Sequence, residues 1–267
     1  MVDEKLVDAI VAAILEEMNK AAPQDTDPPK HDTRQDTILQ EMQSTTSARV
    51  GVGRNGSRLR ADTYLNFRAD HAAAKDAVWL DVPQQILDDL SLQTVQTLCQ
   101  DKNEFLTRPD LGRRLASESL DVIKKLNPRP CDVLVYFADG LSGKAIAANA
   151  PDMLPILLDG LRQQGLSCGK PFFVKYGRVA AQEQIAETVG ATVVCTLIGE
   201  RPGLGSPESM SAYITYHAKM GMPEAGRTVV SNIYAGGIPT VEAGAYLAEL
   251  IGQIHAAKAS GVNFNRA

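Results

Sequence analysis

The sequence is poor in the residues that build disulfide frameworks and metal centres. Its 267 residues include only four cysteines and four histidines. No two cysteines form a C-x-x-C pair, and the histidines lie too far apart for the ligand spacing of a metal site. Scattered thiols in a chain of this size are typical of small buried apolar residues in a reducing compartment. We therefore expect free cysteines and no metal ion held by the protein.

An excess of positive charge and a long apolar run are also missing. Lys and Arg number 27 against 32 Asp and Glu, a net charge of −5. This charge is a poor match for a phosphate backbone, so we do not expect nucleic-acid binding. No apolar run approaches the ~20 residues that cross a bilayer, and the N-terminus lacks the pattern of a secretory signal. These absences indicate a cytoplasmic protein.

Common catalytic motifs are absent too. The sequence has no G-x-S-x-G elbow, no H-E-x-x-H motif and no P-loop. Residues 51–56 match G-x-G-x-x-G, but only a weak apolar run precedes them, and no second strand with an acidic end follows at the required distance. We interpret these glycines as a permissive loop. A binding surface without an evident catalytic group is typical of a non-catalytic subunit.

Two segments precede the expected core. In residues 1–20 the apolar side chains recur every three or four positions from residue 2 to 19, which predicts an amphipathic helix. Residues 21–37 are rich in Pro, Asp and Thr, which predicts a flexible linker. The helix has two open interpretations: a targeting element that docks into a partner's groove, or a helix that folds back onto its own domain.

The remaining chain divides into a mostly helical region, residues 38–127, and an alternating region, residues 128–267. In the first region, periodicity predicts helices over 61–79 and 110–126, the second capped by Asp110, while the stretch near 91–100 has no clear pattern. In the second, strands are predicted at 132–140, 172–177, 192–200 and 228–234, and helices at 143–165, 180–189, 206–220 and 240–258. This alternation predicts an α/β fold: a mainly parallel, Rossmann-like sheet flanked by helices, preceded by a smaller helical N-terminal region.

In such a sheet, ligands bind outside the carboxyl ends of the strands. Four predicted strand ends combine glycine with polar residues, at 139–142, 176–179, 199–203 and 231–237. Glycine lets the backbone approach a ligand closely. We expect these loops to form one ligand surface. Loop position alone adds five candidate residues: Asp139, Ser142, Arg178, Arg201 and Asn232.

Several longer motifs point to a known family. They are TRPDLGRRL at 107–115, FADGLS at 137–142, FVKYGRV at 173–179, GERPGLG at 199–205, SNIYAGGIPTVEAGAYL at 231–247 and KASGVNFNR at 258–266. Together they resemble the small subunit of ethanolamine ammonia-lyase, over essentially residues 45–267. The combination of FVKYGRV with GERPGLG is far more specific than the glycine pattern at residues 51–56.

The resemblance implies a function. The family converts ethanolamine to acetaldehyde and ammonia with adenosylcobalamin. A large TIM-barrel subunit holds the substrate, and the assembly contains six of each chain. The small subunit clamps the cobalamin at the interface and supplies no catalytic residue. The family's cofactor contacts fall on Val179, Glu200 and Val229 of this sequence, where position 229 departs from the cysteine of another family member.

Two further expectations concern the cofactor and the location. Proteins that place a histidine on cobalt carry D-x-H-x-x-G, whereas here Asp70 and His71 are adjacent. We therefore expect the cofactor to remain base-on, with its own dimethylbenzimidazole as lower ligand and no protein histidine on cobalt. Some members of this pathway work inside bacterial microcompartments, so residues 2–19 are expected to dock on a shell protein and to place the chain in the lumen.

Alternatives remain at this stage. Glu200 could form an ion pair with Arg178 or Arg201 instead of contacting a cofactor. The chain could also be a non-catalytic scaffold for the large subunit or for a microcompartment shell. A third hypothesis is that the chain is a free-standing α/β enzyme that uses a nucleotide. The absence of a phosphate-binding loop argues against it.

Overall fold

The computed structural model describes residues 33–46 and 48–264. The predicted targeting helix at 1–20 and most of the predicted linker at 21–37 lie outside these residues. Helix α1, Thr33–Ser44, belongs to a first compact unit that ends at Gly53. Residues 33–37 were predicted as the end of a flexible linker but are helical. They lead into a run that contains the good helix formers Leu, Gln, Glu and Met.

The second compact unit begins at Arg54 and contains the remaining elements. It opens with a hairpin of β1, Arg54–Asn55, and β2, Arg58–Leu59. Gly56 adopts φ +60° in the tight turn between them, a conformation that glycine takes without steric cost. The last glycine of the G-x-G-x-x-G pattern therefore lies in a hairpin turn, as the interpretation of a permissive loop predicted.

In the described residues that follow this hairpin, the chain forms six further strands and seven helices. The strands are β3 Gln93–Gln96, β4 Val133–Ala138, β5 Phe172–Lys175, β6 Val193–Gly199, β7 Met210–Tyr216 and β8 Thr228–Ile233. The helices are α2 Ala61–Trp79, α3 Gln84–Asp89, α4 Lys102–Thr107, α5 Ser117–Leu126, α6 Gly143–Gln163, α7 Ala181–Val189 and α8 Thr240–Ala257, with 3-10 turns at Leu111–Arg113, Glu224–Gly226 and Gly261–Asn263.

The strands form one sheet in the order β3-β5-β4-β6-β7-β8. The first four are parallel, and β7 and β8 add to one edge antiparallel. Every residue of β4 and of β6 is buried, which explains their continuous apolar character. Helices α6 and α8 pack on one face of the sheet, and α5 and α7 pack on the other. The prediction of an α/β fold with a mainly parallel sheet between helices is confirmed.

Three local predictions were wrong or incomplete. Residues 206–220, predicted as a helix, contain strand β7, which pairs with β6 along its whole length. This pairing satisfies the backbone groups on the edge of β6, which a helix in the same place would leave unpaired. The unpatterned stretch near 91–100 contains β3, paired with β5. Asp110 caps no helix, because its carboxylate takes two hydrogen bonds from Arg108, and α5 begins at Ser117 without a side-chain cap.

A β-bulge separates the two halves of β8. Met210 pairs with Ile233, but Ala212 pairs with Val230, so β8 contains one extra residue between these pairs. Asn232 within the bulge adopts φ +61°. Because of this extra residue, Val230 and Ile233 both face the core under α6 and α8 although they are three positions apart.

Among the described residues, no helix is both long and apolar enough to cross a membrane. The four cysteines are free, as predicted. Burial raises the pKa of Cys195 to about 12, so this thiol stays protonated and behaves as a small apolar residue.

A buried ion pair joins α7 to the start of β8. The Arg227 guanidinium lies 2.7 Å from Glu183 Oε1, and each side chain is only 6% exposed. The other carboxylate oxygen of Glu183 accepts a hydrogen bond from the amide of Gly221. The carboxylate therefore fixes the β7–β8 connection against α7.

We predict that Arg227→Leu lowers the free energy of unfolding by about 3–5 kcal/mol, because it leaves the Glu183 carboxylate buried without a counter-ion. The double variant Arg227→Leu, Glu183→Leu should lose less than the single variant. Arg162→Leu is the control, since Arg162 pairs with Asp159 on the exposed surface, and should cost under about 1 kcal/mol. Urea denaturation measures all three, and equal losses for the two single variants would contradict the prediction.

Candidate functional site

A recess of about 170 Å³ lies at the carboxyl ends of β4, β5 and β6. The chain leaves β4 toward α6 on one face of the sheet and leaves β5 toward α7 on the other. Such a reversal opens a crevice at the end of a parallel sheet, where ligands bind in open α/β proteins. The recess is lined by Phe105, Gly140, Leu141, Gly177, Arg178, Val179, Ile198, Gly199, Glu200, Arg201 and Tyr213.

Glycine is required at the strand ends that form this recess. A Cβ atom on Gly199 would overlap the backbone oxygens of Ser142 and Asp139, and one on Gly140 would overlap the carbonyl of Gly199. Gly140 also adopts φ +53°. The ends of β4 and β6 therefore approach each other more closely than side chains would permit, and part of the recess wall is bare backbone.

Two of the three residues that the family resemblance assigns to the cofactor line this recess. Val179 is half-buried just before α7, and Glu200 directly follows β6. The hydroxyl of Tyr213 donates a hydrogen bond of 3.0 Å to Glu200 Oε1. Burial, together with the nearby Glu200 carboxylate, raises the pKa of Tyr213 to about 12, so this hydroxyl remains a donor.

The third residue, Val229, lies on the adjoining surface of β8. It pairs directly with Tyr213 of β7, and paired residues on antiparallel strands project to the same face. Its side chain is 44% exposed. Val179, Glu200 and Val229 are thus arranged around one tyrosine, on the face of the sheet that also carries α7.

The alternative ion pair at Glu200 is not formed. Arg178 donates instead to the backbone oxygen of Phe105, at 2.6 Å. Among the ion pairs of residues 33–46 and 48–264, none involves Glu200. Its carboxylate is held by a neutral hydroxyl, which leaves its negative charge uncompensated by an arginine.

The five candidates chosen by loop position divide into three groups. Arg178 and Arg201 line the recess. Asp139 and Ser142 are buried below it, and Ser142 caps α6 by accepting a hydrogen bond from the amide of Ala145. Asn232 lies in the β8 bulge and is not among the residues that line the recess.

Sequence reasoning missed Tyr213 and Phe105. Tyr213 lay in the segment predicted as a helix, although Tyr213, Ile214, Thr215 and Tyr216 are residue types enriched in strands. That enrichment could have identified β7. Phe105 comes from α4, which had no distinct sequence pattern, and it reaches the recess only through tertiary packing.

Asp139 is a buried charged residue directly before Gly140, which lines the recess. It is 1% exposed, and its Oδ1 accepts a hydrogen bond of 3.1 Å from the amide of Gly177. Lys102 Nζ lies 3.8 Å from its Oδ2. Burial raises the pKa of Asp139 to about 6, although Lys102 and the surrounding backbone amides favour the charged form.

Comparison with known proteins identifies the family. The sequence profile of the family described as "Ethanolamine ammonia-lyase light chain (EutC)" matches residues 36–265. The chain is 53% identical over 223 residues to the "Ethanolamine ammonia-lyase small subunit" of Clostridium tetani, covering 84% of this chain and 76% of that protein. It is 50% identical over 232 residues to the protein of the same name from Fusobacterium nucleatum, covering 87% and 78% of the two chains.

A match of this extent defines the class of protein. It spans both the sheet and the loops that form the recess. The chain belongs to the family of ethanolamine ammonia-lyase small subunits.

We predict that the unfolding free energy of the wild type falls relative to that of Asp139→Asn as the pH rises. The folded protein keeps the Asp139 proton up to a pH of about 6, whereas the unfolded carboxyl releases it near its ordinary pKa of 3.8. Protonation of Asp139 therefore stabilises the folded state in full at a pH below the unfolded pKa, and this stabilisation is lost as the pH rises through the folded pKa. Its size is roughly 3 kcal/mol.

Urea denaturation of both proteins between about pH 3.5 and 7 measures this difference. Asparagine has nearly the same shape and can still accept the hydrogen bond from Gly177, but it leaves Lys102 without its counter-ion across the whole pH range, so the ionisation of Asp139 is read from the pH dependence of the difference. A difference in stability that stays constant across this range would contradict the prediction.

Proposed function

We propose that this chain holds one side of the adenosylcobalamin of ethanolamine ammonia-lyase, through Val179, Glu200 and Val229. The observation that carries the proposal is their convergence around Tyr213. Two of them line the recess directly, and the third pairs with the tyrosine that lines it. They come from three separate loops and strands, so a shared surface is not a consequence of sequence proximity.

The chemistry of the recess fits the periphery of a cobalamin. Its walls are mainly apolar side chains and glycine backbone, which suits the flat apolar body of a corrin. The Glu200 carboxylate is available to accept hydrogen bonds from the amide groups at the corrin edge. Val179 and the exposed Val229 offer apolar contact, and a valine at position 229 serves this purpose without a polar side-chain group.

The size of the recess supports a partner on the other side of the cofactor. At about 170 Å³, it is smaller than the ~300–1,000 Å³ that even drug-sized ligands occupy. A cobalamin is larger still, so only part of its surface fits here. The remainder needs a second chain, and we propose that this chain is the large subunit, which holds the substrate, in an assembly with six copies of each.

The division of labour follows from these residues. When bound, the cofactor supplies a cobalt–carbon bond whose homolysis starts radical chemistry on ethanolamine. Val179 and Val229 exclude water from the covered surface, while Glu200, oriented by Tyr213, fixes the cofactor's rotation. We assign no proton transfer in the chemical step to this chain.

We also propose that the cofactor keeps its dimethylbenzimidazole ligand. No histidine lines the recess in the described part of the chain. His255 lies close to Asp132, beyond the amino end of β4, and His217 follows β7 beside Tyr216. Both positions are at the opposite end of the strands from the recess.

The first test is ammonia release from ethanolamine with adenosylcobalamin and the large subunit, with and without this chain. We expect activity only with both chains. Glu200→Ala and Val229→Asp should each raise the cofactor Kd of the complex at least about tenfold, equivalent to ~1.4 kcal/mol, and leave kcat at saturation nearly unchanged.

Val241→Asp is the matched control, because Val241 is similarly exposed but lies on α8, across the sheet. It should leave the Kd unchanged. If Glu200→Ala and Val229→Asp both keep the wild-type Kd while the two chains still assemble, the chain is a scaffold for the large subunit and the cofactor role is wrong.

A second proposal concerns residues 2–19, which lie outside the described residues. Their apolar stripe supports docking to a microcompartment shell protein and location in the lumen. Deletion of residues 1–20 should preserve ammonia release but abolish co-sedimentation with purified shells. Loss of activity without loss of co-sedimentation would contradict the targeting role.

A further inference from the structure

The loop that carries Val179 has an unfavourable backbone conformation at its first residue. Tyr176, directly after β5, adopts φ +59°. Residues with a Cβ rarely occupy this left-handed region, and an aromatic residue persists there only when surrounding contacts hold it. The loop Tyr176–Val179 therefore depends on groups outside itself for its shape.

Two buried side chains hold the start of this loop. Asp139 Oδ1 accepts a hydrogen bond of 3.1 Å from the amide of Gly177. Thr97, which is 1% exposed, donates a hydrogen bond of 3.0 Å to the backbone oxygen of Tyr176. Asp139, after β4, and Thr97, after β3, thus form hydrogen bonds with the N–H and the C=O of the same Tyr176–Gly177 peptide.

The segment around α4 holds the next residue. The amide of Arg178 donates to the backbone oxygen of Gly112 at 2.9 Å, and its guanidinium donates to the backbone oxygen of Phe105. A Cβ on Gly112 would lie 2.9 Å from the Arg178 side chain and 3.1 Å from the Tyr176 oxygen. The loop is therefore packed against this segment without spare room.

Lys102 balances the charge of Asp139 inside this packing. Its side chain is 9% exposed, and Nζ lies 3.8 Å from Asp139 Oδ2 without a hydrogen-bond partner. The ammonium lies 5.3 Å from the centre of the Phe105 ring and 5.7 Å from that of Tyr176. Two aromatic faces and one carboxylate together stabilise a cation that has little access to water.

We propose that Asp139, with Lys102 as its counter-ion, is a positioning residue that fixes the Tyr176–Val179 loop so that Val179 meets the cofactor. This inference rests on the proposed function of the recess. Asp139 does not itself touch the cofactor, because it is almost completely buried and its Oδ1 is engaged by Gly177. It acts through the backbone of the loop.

The test uses the complex of both subunits, with Asp139→Ala and Asp139→Asn. Alanine removes the acceptor for the Gly177 amide, whereas asparagine retains one. We expect Asp139→Ala to raise hydrogen–deuterium exchange of the 176–179 amides at least tenfold in the cofactor-free complex. The Kd for adenosylcobalamin, measured by equilibrium dialysis, should also rise at least tenfold, with kcat at saturation within about twofold of wild type. Asp139→Asn should restore both properties to near wild-type values.

Two additional variants separate positioning from general destabilisation. Leu157→Ala removes a fully buried side chain from α6, across the sheet, and should leave the Kd and the loop exchange unchanged. If Asp139→Ala does not assemble, Thr97→Val provides the same test, since it removes the donor to Tyr176 while keeping the side-chain shape. Like Asp139→Ala, Thr97→Val should raise both the hydrogen–deuterium exchange of the loop and the Kd for adenosylcobalamin.

The outcomes distinguish this inference from the function on which it rests. If Glu200→Ala weakens cofactor binding but the Asp139→Ala and Thr97→Val variants do not, the positioning role alone is wrong. Unchanged loop exchange in both variants overturns it as well. If neither Glu200→Ala nor the loop variants change the Kd, the proposed cofactor site fails and the positioning role fails with it.

Discussion

The close approach of the β4 and β6 strand ends is the constraint on which the rest of the site depends. Gly140 and Gly199 meet there through their backbones, with no space for a Cβ atom on either residue. This contact brings the loops after the two strands onto one small area. It also leaves bare polar backbone in part of the recess wall, beside the apolar and charged side chains that line the rest.

Around that contact, the side chains form two layers: an outer layer of proposed cofactor contacts and an inner layer that holds the backbone in place. The outer layer, Val179, Glu200 and Val229, faces the space that a ligand would occupy. The inner layer, Asp139 and Lys102, is buried and sets the shape of the backbone. Charges in the inner layer are balanced within the protein, whereas Glu200 is satisfied on one side only, by a neutral tyrosine hydroxyl.

Much of the fold could be predicted from local sequence. The strands β4, β5 and β6 are continuous apolar runs because both faces of each strand are covered, and α6 to α8 have clear periodicity. Strand β3 was missed because it is a short, only partly buried edge strand, whereas β7 was assigned to a helix although its Tyr, Ile and Thr residues favour a strand. The pairing partner of β3 is β5, which lies far along the chain, and local patterns do not specify such a partner.

The candidate site was predictable to a similar extent. The rule that ligands meet the carboxyl ends of parallel strands predicted a surface that includes Glu200 and Val179, which line the recess, and the family motifs added Val229. The supporting residues Tyr213, Phe105 and Lys102 were not predictable, because their roles arise from contacts between distant segments. Lys102 in particular has the sequence context of an exposed helical lysine, yet the fold buries it against Asp139.

The bulge in β8 has a consequence for how this protein tolerates changes in length. One extra residue around Asn232 lets Val230 and Ile233 share the core while Val229 projects to the opposite side. Deleting that single residue would place Val230 and Ile233 two positions apart, which keeps both on the core face of a regular strand but removes the local kink of the bulge. The bulge can therefore absorb the loss of one residue, whereas a one-residue change elsewhere in β8 would turn the residues beyond it to the other face of the sheet.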